Sequence, residues 1–301
     1  MKKMRVLSVA MSALLLVGCG AREQQPSQAE SSAPAVESSG VMTLEELQAK
    51  NALEEVLKQH ESVSYITSYK DESDTVWGET MGQFTMKDGQ LCYERMSTQY
   101  DAVVEYADGY EAKDVPGAFY LTDGYSKIMF VYPEGGYEDR MAKDWSYAAG
   151  FESTDTQKAV SSEIVEGDIV VKVQSVSADG SSFSESNYYA DAESGLIHTI
   201  EVTVIDGIGS LYGSTSTKVI YDAPYTTSDV AYGAIAGAEN AVDLTVVFDP
   251  NGAEESTQVF KVAPDTRVIL PGMVYADAEM TEELEEVILT GGSTTVYVAE
   301  Y

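Results

Sequence analysis

The chain has 301 residues, of which 50 are acidic and 18 are basic, and its formal net charge at pH 7 is −32. Surfaces that bind nucleic-acid phosphates need clustered lysine and arginine, so this charge excludes nucleic acid as a partner. The same charge is repelled by anionic lipid headgroups and is typical of a solvated, extracellular protein surface.

The N-terminus has the composition of an export signal. Lys2, Lys3 and Arg5 form a positively charged stretch, and an apolar run at residues 6–17 follows it. This run is shorter than the about 20 apolar residues that cross a bilayer, but it suits the apolar part of a signal peptide. Residues 1–18 are therefore predicted to be a signal peptide that is removed on export.

The end of this segment resembles the lipobox of bacterial lipoproteins, in which a cysteine is diacylated and becomes the first residue of the mature chain. The matching residues are Leu16, Val17, Gly18 and Cys19. The resemblance implies that Cys19 carries acyl chains such as palmitate. Two acyl chains anchor a protein stably, whereas a single one does not. The predicted location is extracytoplasmic, with the chain lipid-anchored to the cell membrane through Cys19.

Residues 19–40 are predicted to be a disordered tether. They consist mostly of Gln, Ser, Ala, Glu and Pro and contain no aromatic residue. Such a composition cannot bury enough apolar surface to offset the entropy of ordering the chain. The tether would hold the folded part away from the membrane.

Two capping-box patterns follow the tether. Thr43 with Glu46, and Asn51 with Glu54, have the spacing in which the first side chain caps a helix and the acid bonds back to the cap. They predict two short helices, or one helix with a break near residue 50. The second helix has an apolar stripe that we expect to pack into the sheet: Ala49, Ala52, Leu53, Val56, Leu57 and His60.

Alternating apolar and polar residues predict about ten strands between residues 62 and 222. Asp-Gly pairs separate several of these runs, at 88–89, 108–109, 123–124, 179–180 and 206–207. Asp-Gly between alternating runs is a strong hairpin signal, so a large, curved antiparallel meander is predicted. Residues 133–156 interrupt the pattern and are interpreted either as a lid over one mouth of the sheet or as a plain surface loop with aromatic anchors.

One hairpin resembles a motif of the LolA/LolB-like lipoprotein carriers. Residues 188–197 (YYADAESGLI) end a strand in Asp, turn through Ser-Gly and resume. The family has a similar Tyr-x-Asp-x-x-Thr-Gly-Leu-Pro hairpin, with Pro where Ile197 stands here. The resemblance implies that residues 41–222 form an unclosed half-barrel that holds acyl chains and has a helix packed into it. The family's basic cargo-handling residues have no matching positions in this sequence.

The C-terminal part is predicted to be a separate unit. Residues 223–242 are mostly small and polar and are interpreted as a linker. Residues 243–301 resemble the B repeats of internalin-type surface proteins, through 246–252 (VVFDPNG), 274–277 (VYAD) and 294–301 (TTVYVAEY). The family usually has Trp at the positions of Val274 and Tyr301. The resemblance implies a small β-grasp-like module that serves as a spacer or contacts another surface protein. The predicted fold class is therefore mainly β (α+β).

The sequence contains no arrangement typical of catalysis in a supporting context. No Gly-x-Ser-x-Gly or Cys/His pattern stands out, and the two histidines are far apart in sequence. No Cys or His spacing suits a metal site. We therefore expect no enzyme activity, no metal and no cofactor. His198 shares a predicted strand face with Ile200 and Val202, which favours a core or pocket histidine over a ligand.

Two functions remain open from the sequence. The first is binding of a lipid or other hydrophobic ligand in a cavity of the curved sheet, with candidate lining residues Tyr65, Phe84, Phe130 and His198. The second is a surface interaction or structural role, with the core filled by the protein's own side chains. Large inward residues such as Phe84 would fill a cavity, whereas Gly78, Gly82 and Ala118 would leave room, and both kinds occur.

Overall fold

The structure is a computed structural model, and it describes residues 41–87, 89–100, 102–112, 115–123, 125–133, 136–151, 156–177, 182–206, 211–223, 230–252 and 255–299. The predicted signal peptide 1–18, the lipobox with Cys19 and the tether 19–40 lie outside the described residues.

Short helices frame a protein that is mostly strand. The helices in the described ranges are α1 (Leu44–Lys50), α2 (Leu53–Leu57), α3 (Gly136–Ala148) and α4 (Val230–Ile235). Each of them is too short or too polar to span a membrane.

The strands form two sheets. The large sheet contains β1 (Ser62–Lys70), β2 (Val76–Lys87), β3 (Gln90–Gln99), β4 (Ala102–Ala112), β5 (Val115–Thr122), β6 (Lys127–Val131), β7 (Thr156–Val165), β8 (Asp168–Val176), β9 (Ser182–Asp191), β10 (Ile197–Asp206), β11 (Leu211–Tyr221), β14 (Thr266–Ile269) and β16 (Val287–Ile288). The small sheet contains β12 (Val242–Phe248), β13 (Ser256–Val262), β15 (Met273–Tyr275) and β17 (Thr294–Ala299).

The large sheet is an unclosed, largely antiparallel meander. Its strand order is β16-β14-β6-β5-β4-β3-β2-β1-β11-β10-β9-β8-β7. Strands β1 to β6 form one meander and β7 to β11 another, and the two join where β1 pairs with β11. The predicted fold class, a mainly β chain with a large unclosed sheet and a small second sheet, is confirmed.

At β5 and β6 the two faces of the large sheet belong to two different cores. One face, which we call the inner face, carries a cross-strand row that runs from β1 to β6: Val63, Phe84, Tyr93, Gly109, Phe119 and Phe130. Alternate residues of β5 and β6, such as Tyr120 and Met129, point to the opposite face and join a second core. Side chains of a strand alternate between faces, so one run of residues serves both cores.

The N-terminal helices agree in part with the prediction. Thr43 and Glu46 form the predicted capping box, and α1 ends near residue 50 as expected. The capping box of Asn51 is wrong, because α2 begins after Ala52 and has no side-chain cap. Ala49, which the predicted stripe included, is exposed.

Both helices nevertheless face the sheet. Leu53 and Val56 are buried in the first core, and Leu57 packs against it, as predicted. Leu44 and Leu47, which a continuous helix would place on another face, are buried there too. The break between α1 and α2 explains this result, because it lets each helix turn its own apolar side toward the sheet.

The C-terminal part contributes to both sheets. The small sheet has the order β13-β12-β17-β15, with β12 and β17 parallel. Strand β14 instead pairs in parallel with β6 of the large sheet. Helix α4 lies inside the predicted linker 223–242 and buries Ala231 and Ile235 in the second core.

We expect residues 230–242 to resist limited proteolysis, because α4 is packed rather than free. Since β14 extends the large sheet, we also expect a single unfolding transition in thermal denaturation. Mass spectrometry of the fragments after a brief proteinase K digest would check the first expectation. Rapid cleavage within residues 230–242, together with two separate transitions, would instead support the predicted division into 41–222 and 243–301.

Candidate functional site

Helix α3 lies across the inner face of the large sheet. The strands that flank it in sequence are far apart, since β7 is one end of the sheet and β6 lies near the other. The connection must therefore cross the opening of the unclosed sheet. Tyr137, Met141 and Trp145 follow one another at intervals of four residues, which places them on one side of α3. All three are buried in the first core. Segment 133–156 thus contains a docked helix.

Glycines on the inner face provide the space for aromatic rings. A Cβ atom on Gly117 would lie 2.2 Å from Cγ of Tyr137, and one on Gly109 would lie 2.7 Å from the hydroxyl oxygen of Tyr137. A Cβ atom on Gly82 would lie 2.3 Å from Cε1 of Tyr65. The room at Gly82 is therefore filled by a neighbouring ring.

Two further small residues, Ala118 and Gly78, lie on opposite faces of the sheet. Ala118 points to the second core and does not line the inner face. Gly78 has little space beside it, since an added Cβ would lie 3.0 Å from the backbone carbonyl oxygen of Thr98. The interpretation of Ala118 as an inward residue is wrong, because the register of β5 places Phe119 on the inner face and Ala118 on the other.

Asn51 connects three parts of the structure. It is fully buried, and its side-chain nitrogen donates to the carbonyl oxygens of Leu47 (2.9 Å) and Gly195 (3.0 Å). Its side-chain oxygen accepts from the backbone nitrogen of Ile197 at 2.9 Å. Its own carbonyl oxygen accepts from Nε1 of Trp145 at 2.6 Å. One side chain and its peptide thus tie α1, the β9–β10 hairpin and α3 together.

The structure brings three of the four predicted cavity-lining residues together. Tyr65 and Phe84 are buried in the first core, and their ring centroids are 6.4 Å apart. Phe130 is partly buried and packs against Phe119, with ring centroids 5.9 Å apart. Whether these residues line a ligand cavity stays a prediction.

His198 lies apart from these residues. Its Nε2 is 3.2 Å from Oδ2 of Asp168, and its side chain is 42 % exposed. The register shift between Ile197 and Thr199 in β10 interrupts the alternation that the sequence analysis assumed there. Its proposed role in a cavity also stays a prediction.

Arg95 is a basic side chain on the inner face. It pairs across the strands with Gly82, forms an ion pair with Glu105, and is largely buried. Its Nε atom is buried and has no hydrogen-bond partner in the described part of the chain. Next to it in the sheet, the hydroxyl oxygens of Tyr65 and Tyr93 are 3.3 Å apart. A buried donor without a partner is rare in native structures, so this atom has capacity for a ligand oxygen.

Buried tyrosines give the protein a defined alkaline limit. Burial raises the pKa of Tyr65, Tyr132 and Tyr188 to about 12. An unfolded tyrosine titrates near pH 10, so these groups stabilise the fold fully below about pH 10, and the stabilisation is lost as the pH rises through 12. We expect tyrosinate absorbance to show a class of tyrosines that ionises only near pH 12, together with unfolding. Ionisation of every tyrosine near pH 10 in a protein that stays folded would contradict the burial.

Two depressions open on the surface of the large sheet. The larger has a volume of about 390 Å³ and is lined by Val160, Lys172, Val173, Gln174, Glu185, Ser186, Asn187 and Tyr189. The smaller has a volume of about 230 Å³ and is lined by Val76, Trp77, Gly78, Glu79, Thr98 and Tyr100. Neither is lined by the four candidate cavity-lining residues of the sequence analysis, although Gly78 borders the smaller one.

Acidic side chains are not grouped for metal binding in the described ranges. No cluster of three or more His, Cys, Asp or Glu residues there could hold a metal ion. In the acidic turn after β1, Oδ1 of Asp71 accepts bonds from the hydroxyl of Ser73 and from the backbone nitrogens of Thr75 and Ser73. This carboxylate therefore stabilises its own turn, and it has the lowered pKa expected of such an acceptor.

No protein-family model and no curated protein sequence matches the chain. Among solved structures, it is similar to the lipoprotein LppX of Mycobacterium tuberculosis, with 12% sequence identity over 61% of this chain and 99% of that chain, at a TM-score of 0.26. It is also similar to a DUF1329 family protein from Desulfovibrio piger, with 9% identity over 57% of this chain and 90% of that chain, at a TM-score of 0.26. Because these TM-scores are low, the fold is described by the strand order of the chain itself and not by these structures.

Proposed function

We propose that the protein is an extracytoplasmic lipoprotein that binds a lipid or another hydrophobic ligand on the inner face of its large sheet. In this proposal, helix α3 occupies the inner face when no ligand is bound. The observation that carries the proposal is the docking of α3 across the opening of an unclosed sheet through Tyr137, Met141 and Trp145.

The free energies that α3 and an acyl chain would each gain on the inner face are comparable. Burying a large apolar side chain contributes about 1.5–3 kcal/mol, so three anchors of α3 contribute roughly 5–9 kcal/mol. An acyl chain gains about 0.8 kcal/mol per buried CH₂, so about ten buried methylenes offer a similar free energy. A ligand with a long acyl chain can therefore replace α3 on the inner face without a large net cost.

Arg95 supplies a polar contact for such a ligand. Its buried Nε atom has no hydrogen-bond partner in the described part of the chain, and it lies among the tyrosines of the inner face. An acyl carboxylate or ester has an oxygen that accepts from such a donor. We therefore propose a ligand with an apolar chain and an oxygen-bearing end.

Brominated fatty acid tests this proposal, because bromine quenches tryptophan only at close range. The chain has two tryptophans, so Trp77→Phe and Trp145→Phe together remove both, and Phe130→Trp then places a single reporter on the inner face of the sheet itself. We expect dibromostearate to quench this reporter saturably at micromolar concentration, and unbrominated stearate to compete with it. The single variant Trp145→Phe retains only Trp77 and reports binding elsewhere on the surface. Equal signals with brominated and unbrominated stearate would contradict binding on the inner face.

A second candidate function is a structural or interaction role with a permanently filled core. Two observations favour it: the ring of Tyr65 fills the space at Gly82, and the bond from Trp145 to the carbonyl of Asn51 fixes α3. In this case α3 never leaves the sheet, and the contacts with other surface proteins would be made by the C-terminal residues 243–301. The absence of saturable quenching in the preceding experiment would favour it.

We also propose that the protein has no enzyme activity, metal or cofactor.

We further propose that the protein is anchored to the membrane through Cys19. We expect Cys19→Ser to move the protein from the membrane fraction to the soluble fraction, because acyl chains on this residue would be its main attachment. Immunoblotting of fractions after a carbonate wash measures the change. A variant that stays with the membranes would show that the attachment does not depend on Cys19.

A further inference from the structure

The smaller depression lies at the ends of strands β2 and β3. It has a volume of about 230 Å³ and is lined by an aromatic pair, Trp77 and Tyr100, together with Val76, Gly78, Glu79 and Thr98. Pockets for drug-sized molecules have volumes of about 300–1,000 Å³. This depression therefore suits one small chemical group.

Tyr100 has a backbone conformation that is unusual for a large side chain. Gln99 pairs with Ala102, so Tyr100 lies in the hairpin turn between β3 and β4, and its φ angle is +49°. Glycine and asparagine adopt this left-handed region most readily, and a large side chain there is strained. The side chain is also 75 % exposed and gains little from burial. Tight hairpin turns of types I′ and II′ need a positive φ at this position, so the turn accounts for the angle, and the position leaves an exposed aromatic ring beside Trp77.

Trp77 lies beside Tyr100 at the rim. The backbone nitrogen of Tyr100 donates to the carbonyl oxygen of Trp77 at 3.0 Å. The ring of Tyr69 packs against Trp77 with centroids 5.4 Å apart and supports it from one side. The neighbouring Val76 is 49 % exposed. The rim therefore combines supported aromatic surface with an apolar edge that solvent can reach.

The charge around the depression is negative. Among the residues that line it, Glu79 is the one with a charged side chain at neutral pH, and its carboxylate accepts a bond from Ser68 at 2.9 Å. The nearest strand end carries Lys70, but this lysine forms an ion pair with Asp74 at 2.8 Å. The net charge of the chain is −32. This environment disfavours phosphates and carboxylates and attracts cations.

We propose that this depression binds a small organic ammonium group, with Trp77 and Tyr100 contacting the cation through their ring faces and Glu79 supplying the opposite charge. Aromatic side chains bind quaternary ammonium groups through the electrostatic attraction of their π systems. The ammonium group could belong to a choline headgroup or to a lysine side chain of a basic peptide, since both present the same chemistry. None of the residues that line the depression is one of the three anchors of α3.

Calorimetric titration of the full chain with choline tests the proposal, in a detergent that has neither ammonium nor sugar headgroups. The matched control ligand is 3,3-dimethylbutan-1-ol, which has the shape of choline without its charge. We expect choline to bind about tenfold more tightly than this alcohol at constant ionic strength, a difference of about 1.4 kcal/mol. Equal affinities, or binding of a neutral oligosaccharide but not of choline, would overturn the proposal. Phosphocholine and tetralysine then distinguish the two sources of the ammonium group by their relative affinity.

Variants at Tyr100 separate binding from folding. Tyr100→Asn relieves the backbone strain, so we expect an unchanged or higher thermal midpoint together with weaker choline binding, whereas Tyr100→Phe keeps the ring and the affinity. Glu79→Gln should also weaken binding. Tyr125→Asn is the control, because Tyr125 is 96 % exposed and lies outside the depression. Undiminished choline binding by both Tyr100→Asn and Glu79→Gln would show that the cation binds elsewhere.

Discussion

Replacing Asn51 with alanine is expected to destabilise the protein by about 2–6 kcal/mol. The change leaves the carbonyl oxygen of Gly195 and the backbone nitrogen of Ile197 buried without their partner. Each buried polar group that loses its partner costs about 1–3 kcal/mol. The total is a large share of the roughly 5–15 kcal/mol that holds a typical protein folded.

Asn51→Asp distinguishes hydrogen bonding from packing, because it keeps the size of the side chain. It retains an acceptor for Ile197 but places an oxygen against the carbonyls of Leu47 and Gly195, so we expect a loss similar to that of alanine. Asn240→Ala is the control, since Asn240 is exposed. Urea unfolding curves measure all three variants. If Asn51→Ala stays within about 0.5 kcal/mol of the control, the hydrogen bonds of Asn51 do not hold the N-terminal helices to the hairpin.

Replacing Trp145 with alanine is expected to cost about 3–5 kcal/mol, the usual range for a buried tryptophan. The side chain is fully buried in the first core and packs edge-on against Phe84, with ring centroids 6.0 Å apart. Tyr147 is the matched control, because it is an aromatic residue on the same helix and is 67 % exposed. Tyr147→Ala should change stability by no more than about 0.5 kcal/mol. Similar losses in the two variants would show that α3 is not docked through its buried side.

The same pair of variants bears on ligand binding. If α3 and the ligand compete for the inner face, weaker docking of α3 increases the fraction of protein that is open to ligand. The apparent affinity for stearate rises in proportion to that fraction. We therefore expect Trp145→Ala to bind stearate more tightly than the unsubstituted chain, and Tyr147→Ala to bind it equally well. A destabilised variant of the second core, such as Val246→Ala, controls for non-specific binding by partly unfolded protein.

Local sequence patterns predicted much of the fold. Alternation between apolar and polar residues, with Asp-Gly pairs between the runs, predicted a meander of about ten strands and its mainly β class. The pair Asp108-Gly109 is not a turn, because it lies inside β4. The capping box of Thr43 and Glu46 predicted the start of α1. These features depend on residues that are close in sequence, which is why a single sequence contains the signal for them.

Asn51 shows why the contact between the N-terminal helices, the β9–β10 hairpin and α3 was not predicted. Its spacing to Glu54 matches a capping box, which is a local pattern, but its side chain bonds to residues 144 and 146 positions away. No local pattern distinguishes a buried asparagine that joins distant segments from one that caps a helix. The hairpin of residues 188–197 was recognised, whereas its contact with Asn51 depends on the tertiary fold.

Helix α3 was only partly predictable. Gly135 and Gly136 suggested a lid or a surface loop, with Trp145, Tyr147 and Phe151 as the candidate aromatic anchors. The spacing of Tyr137, Met141 and Trp145 was a usable helical signal, since the three residues repeat every four positions. The pairing of β14 with β6 had no comparable signal, because it joins strands of four and five residues that are far apart in the chain.

Native mass spectrometry of the full chain extracted from membranes tests the proposed ligand binding most directly. Covalent acyl chains on Cys19 remain in a denaturing spectrum of the same sample, whereas a non-covalent ligand is lost. We expect the native mass to exceed the denatured mass by that of one acyl-chain molecule, and added stearate to replace this molecule at micromolar concentration. Identical native and denatured masses, with no uptake of added stearate, would contradict a ligand on the inner face.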